Sequence, residues 1–179
     1  MPAPPAVVPD SLGEILGPQW RDIEWRLSNL YWIVDEGGQA IRFAPNEEQL
    51  DFVRNLWTRN IILKARQLGI STLLELLQFD QALFNKNHNG VVIADTLPNA
   101  GKLFAKIEFA FDKLPQALKD ALPIKSKASK TGLEFEHGST IYVSTSSRGG
   151  TDSNAPDTIS RLRSGYLRAI LPSSLMCRN

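Results

Sequence analysis

Apolar positions along this chain alternate between helical and strand-like spacing. Leu12, Ile15, Leu16 and Trp20 recur at helical spacing between 11 and 30, with Pro18 interrupting them. Tyr31-Trp32-Ile33-Val34 and Ile41-Arg42-Phe43 flank Asp35-Glu36-Gly37-Gly38. This pattern predicts a β-hairpin, because glycine supplies the positive φ that the turn needs. Residues 46–57 read as a helix: Asn46 suits the N-cap and Gln49, three residues on, completes a capping-box spacing. Leu50, Val53 and Leu56 or Trp57 give that helix an apolar face.

The short run Asn60-Ile61-Ile62-Leu63 fits a strand buried on both faces, as in a parallel sheet. A loop containing Gly69 follows, then a helix over 71–84 with Leu73, Leu76, Leu77 and Leu83 facing inward. Gly90-Val91-Val92-Ile93-Ala94-Asp95 is a second buried strand. Residues 99–114 are a second amphipathic helix, with Leu103, Ile107, Phe111 and Leu114 on one face and Pro115 as its stop. Strand, helix, strand, helix is the βαβ pattern, so the expected fold class is α/β with a parallel sheet and flanking helices. Residues 132–136 and 139–145 alternate around His137-Gly138 and predict a second hairpin. From 152 onward the periodicity fails: 152–164 is polar, and Pro172 separates the short apolar pairs Ile170-Leu171 and Leu175-Met176.

Composition narrows the function classes. Twenty basic against 19 acidic residues leave a net charge of +1, which argues against a protein that binds nucleic acid by bulk charge alone. The single cysteine, Cys177, excludes an internal disulfide. The first ten residues are proline-rich, without the basic and apolar regions of a secretory signal. No stretch approaches the ~18 apolar residues of a membrane span. His88 and His137 lie far apart with no cysteine beside them, so a zinc site is not expected. Trp20, Trp25, Trp32 and Trp57 have aliphatic neighbours and read as core. Lys102, Lys106 and Lys113 read as a solvated helix face.

The chemistry is concentrated in Ile61-Ile62-Leu63-Lys64-Ala65-Arg66-Gln67-Leu68-Gly69-Ile70-Ser71-Thr72. A buried strand entering a tight loop and then a helix presents backbone N–H groups and a helix N-terminus to a phosphate. Against the common pattern G-x-x-x-x-G-K-[ST], Gly69 takes the second glycine position and Ser71 the hydroxyl position. Ile70 stands where the lysine belongs and Lys64 where the first glycine belongs. The bland reading is an ordinary strand–helix turn in which Gly69 relieves backbone strain. Against it, Lys64 closes an apolar strand and Arg66 joins it in the loop. Two cations at a helix N-terminus oppose its dipole unless an anion lies between them.

These residues, with others, resemble the large terminase subunit of tailed phages and prophages. The resemblance runs over about 41–151. It is carried by Phe43-Ala44-Pro45-Asn46-Glu47-Glu48-Gln49, Arg59-Asn60-Ile61-Ile62-Leu63-Lys64-Ala65-Arg66-Gln67-Leu68-Gly69 and Val91-Val92-Ile93-Ala94-Asp95. It continues through 109–115, Gly138-Ser139-Thr140-Ile141-Tyr142-Val143-Ser144-Thr145 and Arg148-Gly149-Gly150-Thr151. It implies a P-loop NTPase of the RecA-like (ASCE) type, present only in part, and ATP-driven packaging of double-stranded DNA into procapsids in the host cytoplasm. ATP and Mg²⁺ are the implied cofactors. Double-stranded DNA, a small terminase subunit and a portal protein are the implied partners, with no membrane.

The resemblance also implies roles. Lys64 and the loop from Ala65 through Arg66, Gln67, Leu68, Gly69 and Ile70 to Ser71 would hold the β- and γ-phosphates, with Thr72 adjoining. Ser71, or failing it Thr72, would ligate Mg²⁺. Arg66 would act catalytically, stabilising the γ-phosphate as an arginine finger in cis. Gln49 would recognise adenine, although at the third position of a capped helix it could equally bond the Asn46 backbone. Arg148-Gly149-Gly150 could touch nucleotide or DNA, or be a surface turn.

An ATPase of this class needs a second apolar strand ending in carboxylates that position Mg²⁺ and water. Residues 152–179 offer only Asp152 and Asp157, and neither ends an apolar run. The chain thus reads as three parts: 1–45, an N-terminal segment with the hairpin; 46–151, a partial P-loop ATPase core; and 152–179, a divergent tail. Two readings stand for the tail: out-of-frame peptide after a slip near codons 151–152, or a genuine variant whose Asp152 or Asp157 is the missing acid. In the first, the chain is a terminase fragment with little or no hydrolysis, prone to aggregate because a half-sheet exposes strand edges.

Overall fold

The computed structural model describes residues 18–56, 59–63, 69–129, 132–145, 158–163 and 166–170. At 59, 61–63, 125–129, 158–163 and 166–170 only the backbone is described. The N-terminal segment begins with a single 3-10 turn, Pro18–Arg21, and helix α1, Ile23–Asn29. Asp22 caps α1 through its side chain, which accepts from the Glu24 N–H. The hairpin follows as β1 (Trp32–Val34) and β2 (Ala40–Arg42), paired antiparallel, with Gly38 at a φ of 79° in the turn. Helix α2, Glu47–Arg54, starts with the capping box expected of Asn46 and Gln49.

Strand β3 (Arg59–Leu63), helix α3 (Ile70–Phe84), strand β4 (Asn89–Ala94) and helix α4 (Leu97–Asp112) form the strand–helix–strand–helix unit read from the sequence. Thr96 caps α4 and Pro98 lies in its first turn, where a missing N–H costs nothing. A short helix α5 (Gln116–Ala121) and strand β5 (Ile124–Ser129) follow, and neither was expected. Strands β6 (Gly132–Phe135) and β7 (Thr140–Thr145) make the second hairpin. Strands β8 (Thr158–Arg163) and β9 (Tyr166–Ile170) lie in the tail, where the sequence pattern gave no element.

Seven of these strands share one sheet in the order β3-β9-β8-β4-β7-β6-β5. The sheet is mixed, which corrects the expectation of a parallel one. β4 is parallel to both β7 and β8, whereas β3–β9, β8–β9, β6–β7 and β5–β6 are antiparallel. Following these pairings, β3, β8, β4 and β7 run the same way. The tail hairpin therefore occupies the two positions between β3 and β4, and β3 lies at the sheet's edge rather than at its centre.

Helix α3 is buried nearly all round, although Glu75, Gln78, Asp80 and Gln81 interrupt its apolar residues. Every residue from Leu73 to Leu83 is buried. The sheet and α4 pack against it, and the N-terminal segment covers it further. Phe79 meets Tyr31 edge-on at 5.7 Å between ring centroids and Phe111 of α4 at 6.4 Å. Ile23, Leu27, Leu30, Tyr31 and Phe43 join the same core as Leu77, Val92, Ile107 and Ile141. The N-terminal segment thus contributes to the hydrophobic core built around α3, while its hairpin strand β2 stays exposed. Trp20 and Trp25 pack against this core, half-buried Trp32 instead lies under Arg42 at 5.4 Å to the ring centroid and is not part of it, and Trp57 lies outside the described residues.

One buried ionic cluster fixes that packing. The Arg26 guanidinium donates from Nε to Asp80 Oδ1 at 2.8 Å and from Nη2 to Oδ2 at 2.6 Å. Its Nη1 donates to the Trp20 carbonyl at 2.6 Å, and the Tyr31 hydroxyl donates to Asp80 Oδ1 at 2.7 Å. Burial pulls the Arg26 pKa down, but the charge and hydrogen bonds of Asp80 outweigh it and the net shift is upward. Burial, reinforced by Asp80, raises the Tyr31 pKa far above its ordinary value, so its proton stays in place.

Candidate functional site

Strands β3, β8, β4 and β7 bring their carboxyl ends to one edge of the sheet. In open α/β sheets that edge is where ligands bind, since the loops leading to helices gather there. Of the residues singled out from sequence, Lys64, Ala65, Arg66, Gln67 and Leu68 lie outside the described residues, as do Arg148, Asp152 and Asp157. Gln49, Gly69, Ile70, Ser71 and Thr72 are described.

Gly69 is the N-cap of α3, with φ 64° and ψ 3°. That left-handed conformation suits glycine and is costly for other residues. Gly69 has no side chain with which to cap the helix, and α3 has no acidic residue in its first turn. Ile70 is buried at 4% exposure and belongs to the hydrophobic core. At the position of the usual P-loop lysine this chain therefore has a core side chain, so any phosphate-binding cation has to come from elsewhere.

Gln49 lies against this turn. Its Oε1 accepts from the Asn46 N–H at 3.0 Å, and its own N–H donates to Asn46 Oδ1 at 2.9 Å. A Cβ added to Gly69 would sit 2.7 Å from Gln49 Nε2. The capping reading of Gln49 is thus what the hydrogen bonds show, and the same side chain is 4% exposed and wedged against the glycine. Its amide oxygen is committed to the cap.

Ser71 and Thr72 occupy the first turn of α3 and are half-buried. Thr72 Oγ1 accepts from Lys106 Nζ of α4 at 3.3 Å. A divalent cation at that oxygen would lie beside an ammonium group, which favours Ser71 over Thr72 as a metal ligand. Lys106 also meets Glu75 Oε2 at 3.4 Å; the Glu75 side chain is 1% exposed. Lys106 is exposed, as expected of a solvated helix face, and its ammonium also reaches a buried carboxylate. Lys102 and Lys113 are exposed, and Lys113 lies 5.7 Å from the Phe109 ring centroid.

Asp95 follows β4 at its carboxyl end and is an exposed carboxylate to which the sequence reading gave no role. Its Oδ1 accepts from Asn99 Nδ2 at 2.7 Å and from the Thr96 N–H at 2.8 Å. The Asn99 hydrogen bond leads a set of contacts that lowers its pKa despite some desolvation, so it is ionised at neutral pH. The signal was legible in the run Val91-Val92-Ile93-Ala94-Asp95, an apolar strand ending in an acid. Among the described residues no cluster of His, Cys, Asp and Glu is arranged to hold a metal, and no helix is long and apolar enough to cross a membrane.

The fold and site together define an α/β chain with a mixed sheet, flanking helices and a glycine turn leading into a buried helix. No family model matches the chain, and no curated protein matches it.

Proposed function

We propose that the chain binds ATP with Mg²⁺ at the turn between β3 and α3, as a partial ATPase core of the terminase large-subunit type. The observation that carries the reading is Gly69, left-handed at the N-cap of a 15-residue helix with no side-chain cap. A helix N-terminus whose first amides have no N-cap side chain favours an anion. The five residues before it in sequence, Lys64-Ala65-Arg66-Gln67-Leu68, include two cations. In this reading Lys64 takes the place of the lysine that Ile70 displaces, Arg66 faces the γ-phosphate and Ser71 ligates Mg²⁺. Gln49 braces Gly69, and any contact it makes with adenine uses its amide nitrogen.

The associated activity is ATP-driven packaging of double-stranded DNA, with a small terminase subunit and a portal as partners, in the host cytoplasm. By itself this chain hydrolyses ATP poorly. β8 runs parallel beside β4, where an acid-ended strand would serve Mg²⁺, but its sequence Thr158-Ile159-Ser160-Arg161-Leu162-Arg163 contains no carboxylate. The test is equilibrium titration of the full chain with a fluorescent ATP analogue, beside steady-state turnover. Micromolar binding that Lys64→Ala and Ser71→Ala each weaken at least tenfold, with no turnover above background, is the expected result. Turnover abolished by Lys64→Ala contradicts the inactive reading, and absence of binding contradicts the site.

A further inference from the structure

Glu75 is a carboxylate on a helix whose neighbouring positions are leucine: Leu73, Leu74, Leu76 and Leu77. Its side chain is 1% exposed. A leucine would fill that space at lower cost, since a buried charge loses its hydration. Glu75 lies four residues after Ser71 and three after Thr72, so all three share one flank of α3, with side chains one turn apart. Lys106 crosses from α4 to this flank, 3.4 Å from Glu75 Oε2 and 3.3 Å from Thr72 Oγ1. The lysine side chain is 47% exposed, so solvent and ligands reach it while the acid stays enclosed.

Resting on the reading of the Gly69 turn as a nucleotide site, we infer that Lys106 is a positioning residue that balances the Glu75 charge beneath the terminal phosphates. The carboxylate lies one turn below the hydroxyl assigned to Mg²⁺. Left unbalanced, it would repel the β- and γ-phosphates through a medium less screening than water. With Lys106 on it, the pair is neutral, and the Thr72 hydroxyl is held by the ammonium away from the metal. Ser71 is the hydroxyl that the proposed reading assigns to the metal. The effect grows with the ligand's negative charge, which separates it from simple bracing of α3 against α4.

The experiment uses the full chain and measures dissociation constants for ATP, ADP and AMP in the presence of Mg²⁺. Lys106→Met is expected to weaken ATP about tenfold, ADP less, and AMP hardly at all. Lys106→Arg keeps the charge and retains ATP affinity. The double variant Glu75→Gln/Lys106→Met removes both charges, restores the fold where the single variant loses it, and returns ATP affinity to within about twofold of the starting value. Equal weakening of all three nucleotides in Lys106→Met, or failure of the double variant to recover ATP binding, overturns the inference. So does unchanged ATP affinity in Lys106→Met when Ser71→Ala abolishes it, a result that leaves the nucleotide site standing. A chain that binds no ATP at all overturns both.

Discussion

Asp80 shows what a single side chain does in this molecule. It accepts two hydrogen bonds from Arg26 and one from Tyr31, wholly out of solvent, and so ties the N-terminal segment to the middle of α3. Removing Asp80 leaves the Tyr31 hydroxyl and most of the Arg26 guanidinium buried without these acceptors, with only the Trp20 carbonyl still accepting from Arg26. Asp80→Ala is therefore expected to cost about 3–5 kcal/mol in chemical unfolding, and Asp80→Asn to destabilise as well, because the amide keeps one acceptor oxygen, turns the other into a donor facing Arg26 and leaves the guanidinium unbalanced. A loss below about 1 kcal/mol for Asp80→Ala would show that the buried charge is not held by this pairing. Nothing in the apolar pattern pointed to this cluster. Arg26 and Asp80 are 54 positions apart, and only the packing of α1 on α3 brings them together. Gln49, by contrast, was legible as a cap because its partner Asn46 is three residues away, and local spacing is what a sequence displays directly. Its second role, packing on Gly69, depends on how α2 meets the turn and could not be read from spacing.

Among the elements, the Gly69 turn couples two of them: it starts α3, and α2 presses on it through Gln49. Gly69→Ala would place a methyl group in a left-handed conformation and drive it into the Gln49 amide, loosening the α2 cap as well. The expected loss is roughly 1–2 kcal/mol from the backbone alone, read by urea unfolding. A variant as stable as the parent would mean that the turn adopts a different conformation. The elements that the sequence displayed are those with apolar runs, strong periodicity or caps: α2, β3, α3, β4, α4 and the two hairpins. β5 was missed because Ile124-Lys125-Ser126-Lys127-Ala128-Ser129 has little strand character of its own and is held by pairing with β6. β8 and β9 were missed for the same reason. Their arginines break the apolar pattern, and it is backbone pairing with β4 and β3 that makes them strands.

At the scale of the whole molecule, the tail decides whether the sheet is continuous. Four of the seven strands, β4-β7-β6-β5, are reached without residues past 145, but among the described residues β3 pairs only with β9, which pairs on its other side with β8. The edges that a partial core would expose between β3 and β4 are thus covered by 158–170, whatever the origin of that peptide. Deleting 152–179 is expected to leave β3 unpaired and one edge of β4 open, giving a chain that aggregates or melts without a cooperative transition. A truncated chain that stays monomeric and melts as sharply as the full one would show that the tail strands do not complete the sheet. Under the proposed reading, the same arrangement explains why hydrolysis is expected to be poor. The strand beside β4 is built from the tail, and its six residues carry arginines where an ATPase would need an acid.

The central claim is that an ATP–Mg²⁺ complex sits on the turn between β3 and α3, and direct calorimetric titration of the full chain with ATP and Mg²⁺ tests it. The account predicts one binding site per chain, lost in Lys64→Ala and retained in Asp95→Asn. No heat of binding in the parent chain, or equal binding in parent and Lys64→Ala, would contradict it.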